Sequence, residues 1–369
     1  MKYKVPFVNH PLQYRNLKPE INSAVQNVLK RGDLILRSDV ENFEKSLAAF
    51  LNVKYAVGLN SGTDAIIFAL KAAGIGPKDE VITVSHTFVA SVAAIVHCGA
   101  TPLLVDVKED DFTIDTDKIE EVITPKTKAI IPVHLNGRTS DMEKLMAVAR
   151  KHHLIVIEDA AQALGAKFRG RMAGSFGLAS AFSFYPAKIL GGYGDGGALA
   201  TNSREIYKHA VLLRDHGQRT KTEVVCYGFT SRLDNLHAAI LNVKFKQLPK
   251  WIKRRREIAK IYDEGLKDVS GIKLPPSPSA GTRHYDAYQN YVIRAERRDK
   301  LAEYLRNNGI EILIKDPVAL HRQKGLGLSG FNLPVSERLA KQVISLPMYP
   351  ELTDRQIEYT IGQVSRFYA

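Results

Sequence analysis

Two cysteines in 369 residues, Cys98 and Cys226, are too few and too far apart in sequence for a disulfide framework or a metal knuckle. Both read as ordinary buried thiols. Long apolar runs are also missing: no stretch approaches the ~18 uninterrupted apolar residues that a membrane span needs. The start, Met1-Lys2-Tyr3-Lys4-Val5-Pro6, lacks the apolar middle of a secretory signal, so the cytoplasm is the expected compartment. Internal repeats and low-complexity tracts are absent, and no Walker or dinucleotide glycine spacing follows a strand, which removes two common phosphate cradles.

What the chain does have is apolar material and positive charge. A hydrophobic share of 45% with 25% charged residues supports a substantial core, expected here as two domains, 1–245 and 246–369. The formal charge of +13 attracts phosphates. Nucleic acid is the poorer match, because the basic residues are spread along the chain. The one dense cluster, Lys250-Trp251-Ile252-Lys253-Arg254-Arg255-Arg256, falls in a helical pattern as a solvated face. A small phosphorylated or diphosphate ligand would use the same charge.

Apolar spacing at Leu17, Ile21, Val25, Val28 and Leu29 predicts a helix closed by Gly32. Strand-like runs at 55–58, 81–84, 102–105, 129–133 and 154–158 then alternate with helical patterns such as 141–152. That rhythm predicts an α/β fold with a mostly parallel sheet covered on both faces and a site at the strands' carboxyl ends. A helical pattern from about 233 to 266, bent at Pro249, leads to Pro275-Pro276-Ser277-Pro278-Ser279, where the rhythm changes. Strands at 288–294 and 311–314, a helix at 298–308, and a last helix opened by Thr353 with Gln356 as a capping box predict a smaller α+β unit.

Three segments carry chemistry. In Ser183-Phe184-Tyr185-Pro186-Ala187-Lys188-Ile189-Leu190-Gly191-Gly192, a lysine lies between an apolar strand and a glycine-rich turn. Desolvation there lowers a lysine's pKa and frees a neutral amine to attack an aldehyde, although a solvated surface lysine is the plain alternative. In Ile157-Glu158-Asp159-Ala160-Ala161-Gln162 an apolar strand ends in carboxylates. An acid beside a pyridine nitrogen keeps the ring of pyridoxal phosphate (PLP) protonated, and a simple helix cap is the alternative for Asp159. In Asn60-Ser61-Gly62-Thr63-Asp64-Ala65 a polar turn opens a helix whose free N–H groups suit a phosphate dianion, or which is merely capped. Ser183 offers a hydroxyl to the same phosphate. Asp195 as a metal ligand is a weaker reading.

Together with Ser85-His86-Thr87-Phe88-Val89-Ala90, Leu213-Arg214-Asp215-His216-Gly217-Gln218, Ser231-Arg232-Leu233-Asp234 and Leu346-Pro347-Met348-Tyr349-Pro350-Glu351-Leu352-Thr353, these segments resemble the DegT/DnrJ/StrS family of PLP-dependent sugar aminotransferases over nearly the whole chain. The resemblance implies a fold-type I architecture with a seven-stranded-type sheet plus a smaller C-terminal domain. It implies that Lys188 holds the cofactor as a Schiff base and Asp159 pairs with its ring nitrogen. It further implies that Gln162 reaches the phenolic oxygen, Phe88 stacks on the ring, and Gly62, Thr63 and Ser183 hold the phosphate.

The resemblance also implies a homodimer with shared sites, completed near Thr230 of the second copy, with the cofactor alternating between PLP and pyridoxamine phosphate. L-Glutamate would be the amino donor and a nucleotide-linked keto-sugar, most similar to the 3-keto type, the acceptor. A keto-inositol aminotransferase, a sugar dehydratase and a non-catalytic regulator are the competing readings; dehydratase relatives replace the lysine with histidine. Three positions depart from the family pattern: Thr230 stands where asparagine is usual, Lys315-Asp316 where His-Tyr is common, and Asn136 where tyrosine is common.

Overall fold

The computed structural model describes residues 3–279, 281 and 283–369; Met1 and Lys2 of the charged start lie outside these described residues. Seven strands form the central sheet: β1 (Tyr55–Leu59), β2 (Glu80–Val84), β3 (Thr101–Val105), β4 (Thr127–Ile130), β5 (Ile155–Asp159), β6 (Ala179–Ser183) and β7 (Gly197–Thr201). Their order is β1-β7-β6-β5-β4-β2-β3. Strand β7 runs antiparallel to both of its neighbours, and the rest share one direction. Near-continuous burial along β1, β2, β5, β6 and β7 is what a sheet covered on both faces requires.

Local signals set the helices that cover the sheet. Helix α1 (His10–Arg31) begins where the Asn9 side chain accepts the Leu12 N–H at 3.1 Å, and ends at Gly32 with a left-handed φ of 69°. Helix α2 (Ser38–Leu51) buries Val40, Phe43, Leu47 and Leu51 in one core with Phe182, Phe184 and Leu190. Helix α3 (Gly62–Ala72) is apolar almost all round, because it lies between layers.

The expected helix across 233–266 is two helices, Asn235–Phe245 and Leu248–Leu266. Pro249 sits in the first turn of the second, where its missing N–H costs nothing. The chain therefore breaks before the proline instead of bending at it. The Leu248–Leu266 helix spans two cores: Trp251 and Ile252 pack with the large sheet's helices, whereas Ile258, Tyr262 and Leu266 pack with β8 (Tyr291–Ala295) and β9 (Val343–Leu346). We propose the division at 245/246 on this basis, with crossings in both directions: Val5 bridges to Ile310 and joins the second core, while Trp251, Ile252 and Ala287 pack in the first and Val292, Leu339 and Val343 share a core with Ile82, Val84 and Ile130.

Other expectations need correcting. The strand expected at 288–294 begins at Tyr291, because Tyr288 has φ 50° and cannot continue a ladder. The strand expected at 311–314 is reduced to the single bridge Leu313–Ser345. Cys226 is exposed rather than buried. The basic cluster is not wholly solvated: Arg255 is buried and donates to the carbonyls of Tyr288, Gln289 and Met348 at 3.1, 3.2 and 3.0 Å. The capping box of Thr353 and Gln356 forms as the sequence predicts.

Alternation along β5 sends Glu158 and Asp159 to opposite faces. Glu158 is fully buried and accepts His134 Nε2 at 2.9 Å and the N–H groups of Gly174, Phe176 and Gly177 at 2.7, 2.6 and 2.8 Å. His134 Nδ1 accepts the Ser140 N–H at 3.2 Å, which leaves Nε2 as the donor. Replacing Glu158 with alanine would strand these donors in a dry interior. The expected loss is about 3 to 5 kcal/mol of unfolding free energy. Denaturant unfolding of Glu158→Ala measures it, and a loss below about 1 kcal/mol would contradict the account.

Candidate active site

The carboxyl ends of β1, β2, β5 and β6 converge on one cavity of about 510 Å³. Gly62, Thr63, Phe88, Asp159, Gln162, Ser183 and Lys188 all line it. Seven of the eight residues singled out from the sequence therefore meet at one place. The eighth, Thr230, does not line it; it is exposed and bonded to His216 Nε2 at 3.2 Å.

The start of α3 forms one part of the wall. Ser61 Oγ accepts the Asp64 N–H at 3.1 Å, capping the helix, while the N–H groups of Gly62 and Thr63 have no partner among the described residues. Two close approaches make the turn specific. A Cβ at Gly62 would come 3.0 Å from Ser183 Cβ, and one at Gly197 would lie 2.2 Å from the Ser61 carbonyl carbon. Glycine at both positions lets β6 and β7 press against the helix start. Two free N–H groups at a helix N-terminus, beside the Ser183 hydroxyl, suit a phosphate dianion.

Asp159 is buried, with Oδ1 accepting the Ala161 N–H at 3.1 Å and Oδ2 accepting the Ser91 hydroxyl at 2.6 Å. A carboxylate has about four acceptor positions, so it retains capacity for a cationic N–H. Gln162 Oε1 accepts the Asn136 N–H at 3.0 Å, which leaves its amide NH₂ to donate. Asn136 itself stands behind Gln162 and lines neighbouring clefts rather than the main cavity. Its side chain reaches the cavity through Asn290, a lining residue whose Nδ2 donates to Asn136 Oδ1 at 3.2 Å.

Lys188 lies in the turn after β6. Burial is the main cause that pulls its amine down to about 8, the charge of Lys315 adds to the shift, and Asp159 opposes it. Desolvation outweighs the attraction of the acid. The turn is held from the second core: Gln289 Nε2 donates to the Ala187 carbonyl at 2.7 Å, and Gln289 Oε1 accepts the Ile189 N–H at 2.7 Å. Lys244, buried against the Tyr193 ring, donates to the Gly191 carbonyl. Sequence reading did not single out Gln289, Ser91 or Lys244. Their separation in sequence hid them, 102 positions in the case of Gln289 and the Ala187 carbonyl it bonds.

A doubly wound sheet with a desolvated lysine, a partnered acid and an anion-ready helix start in one cavity defines a PLP-dependent class of enzyme. The chain belongs to the DegT/DnrJ/EryC1/StrS aminotransferase family, whose model matches residues 15–365. A Geobacillus stearothermophilus protein named a pleiotropic regulatory protein is 42% identical over 367 residues, covering 99% of this chain and 98% of that one. The dTDP-3-amino-3,4,6-trideoxy-alpha-D-glucose transaminase of Streptomyces venezuelae is 41% identical over 365 residues, covering 98% and 95%. Among solved structures, S. venezuelae DesV in complex with a ketimine intermediate superposes with a TM-score of 0.96 at 40% identity, covering 100% of this chain and 99% of that one. The chain is thus an aminotransferase, and its cofactor is PLP.

The low-lying amine gives a direct test on cofactor-free protein. Burial disfavours the ammonium, so the reactive neutral form should appear as pH rises through about 8 instead of near the ordinary lysine value. The rate at which a neutral amine reagent modifies the Lys188 peptide should follow that midpoint. Gln289→Leu removes both bonds to the turn, admits water and should move the midpoint upward. An ordinary lysine midpoint in the unaltered protein would contradict the desolvated site.

Proposed function

We infer that this aminotransferase moves the amino group of L-glutamate onto a nucleotide-linked keto-sugar, with the 3-keto position as the favoured acceptor, and that it works as a homodimer. The observation that carries the reading is the meeting of Lys188 and Asp159 in one cavity with the free helix start of α3. The 3-amino product in the name of the S. venezuelae relative supports the position of amination. Retention of both Lys188 and Asp159 favours catalysis over a regulator that borrows the fold, and the lysine argues against the dehydratase chemistry of relatives that carry histidine there.

When bound, the cofactor supplies an aldehyde for amine exchange and a ring that withdraws electrons from the carbon being deprotonated. Lys188 Nζ would hold the aldehyde between turnovers, and as a free neutral amine it would accept the proton released at the substrate carbon. Asp159 keeps a proton on the ring nitrogen, and the Ser91 hydroxyl orients its carboxylate. The Gln162 amide would donate to the phenolic oxygen, and Phe88 would stack on the ring. Gly62 and Thr63 N–H groups with the Ser183 hydroxyl hold the phosphate.

The dimer reading rests on surface chemistry. Val224, Val225, Tyr227 and Phe229 are all exposed on the segment that precedes Thr230, with Leu34 and Ile35 also exposed. Such a concentration of exposed apolar side chains marks an association surface. Thr230, outside its own chain's cavity, is then free to approach the second copy's site, and its short hydroxyl makes a weaker phosphate contact than asparagine would.

Lys188→Ala should abolish 2-oxoglutarate formation from L-glutamate, and borohydride should fix no cofactor to the 188 peptide. Asp159→Asn should retain bound cofactor while lowering kcat by roughly 10²–10⁴. Turnover assays with a panel of nucleotide keto-sugars read both. Full activity in Lys188→Ala would sink the assignment.

A further inference from the structure

Both substrates of the proposed reaction are anions, so the cavity needs positive charge beyond the lysine that holds the cofactor. Among the described residues that line it, only Lys188 and Lys315 carry cationic side chains. Lys315 follows Leu313, whose backbone exchanges hydrogen bonds with Ser345 at 3.2 and 2.8 Å, so the loop is anchored to the edge strand β9. Its Nζ lies 5.7 Å from the centroid of the Phe88 ring. It forms no ion pair with any described carboxylate: Asp316 and Asp159 act on it only through their field, and burial is the main influence on its amine, favouring the neutral form. An amine shielded from water without a counter-ion is unfavourable, and an incoming anion relieves it.

The position of this charge selects the kind of anion. Lys315 lines the same cavity as Lys188, and its Nζ faces the ring of Phe88, the residue expected to stack on the cofactor, so it stands on the side of the cavity where the reacting carbon would lie. In an amino acid the carboxylate is bonded to that very carbon. In a nucleotide sugar the diphosphate is separated from the keto carbon by the ring, and the phosphate of the cofactor has its own place at the start of α3. The geometry points to Lys315 as the residue that takes a substrate carboxylate, in the first place the α-carboxylate of the amino donor. A carboxylate on the sugar itself, as in a hexuronate, has the same chemistry. The inference rests on the aminotransferase reading and specifies how that site recognises its substrates.

Two probes with no reactive amine or ketone separate the sources on the cofactor-loaded enzyme. Glutarate stands for the donor, and UDP-glucuronate measured against UDP-glucose isolates the sugar carboxylate. Dissociation constants are read by calorimetry for the unaltered chain, Lys315→Gln and Lys315→Arg, with the visible band of the bound cofactor as the check that each variant folds and loads. We expect Lys315→Gln to weaken glutarate about 10- to 100-fold, with substantial recovery in Lys315→Arg. Loss of the preference for UDP-glucuronate over UDP-glucose, with glutarate unaffected, would keep the carboxylate role and assign it to the sugar. If the unaltered enzyme turns over L-glutamate and neither probe depends on position 315, the carboxylate role is overturned while the aminotransferase reading stands. If it forms no 2-oxoglutarate and binds neither carboxylate probe, both fall together.

Discussion

The site depends on making one amine easy to deprotonate beside a carboxylate. A lysine and an aspartate left to themselves in water would both ionise, and the amine would be useless as a nucleophile. Here burial at the sheet's carboxyl edge lowers the Lys188 amine by more than Asp159 raises it, and Lys315 adds a repulsive charge on the same side. The Ser91 hydroxyl and Ala161 N–H meanwhile satisfy the carboxylate on its protein side. The reactive arrangement is a balance of desolvation against attraction, and desolvation wins.

Keeping that balance requires the turn around Lys188 to stay put, and both halves of the chain contribute. Gln289 bonds the backbone on either side of the lysine, Lys244 takes the Gly191 carbonyl, and Arg255 in turn holds the carbonyls of Tyr288 and Gln289. Glu158, one residue from Asp159 and facing the other way, gathers four donors and pins the end of β5. The loops that carry chemistry are thus tied into the two cores that position them. A relative named as a regulatory protein shares 42% of its residues with this chain, so overall similarity does not separate catalysis from regulation.

The charge of +13 acts less directly than its size suggests. The pairs Arg214–Glu44, Arg294–Glu109 and Arg138–Asp286 cancel within that figure, and Arg255 is buried against backbone carbonyls, so none of these brings charge to the cavity. Within the cavity the positive elements reduce to two lysines and a helix start. Recognition of anionic substrates therefore rests on a few groups whose placement matters more than their number.

Local patterns in the sequence determined the alternation of strands and helices, the caps at Gly32 and Thr353, and the three short segments bearing Lys188, Asp159 and the α3 start. Each of these depends on neighbours a few positions away, so periodicity and residue chemistry suffice to read them. Tertiary structure alone decided the reversed direction of β7, the shift of the helix break to precede Pro249, the burial of Arg255 within a run that reads as solvated, and the exposure of Cys226. It also decided which distant residues complete the site: Ser91, 68 positions from Asp159, and Gln289, 102 positions from its bonded Ala187. Such contacts arise from packing between elements that no local spacing encodes, and the desolvation that makes Lys188 reactive is a property of everything packed around it.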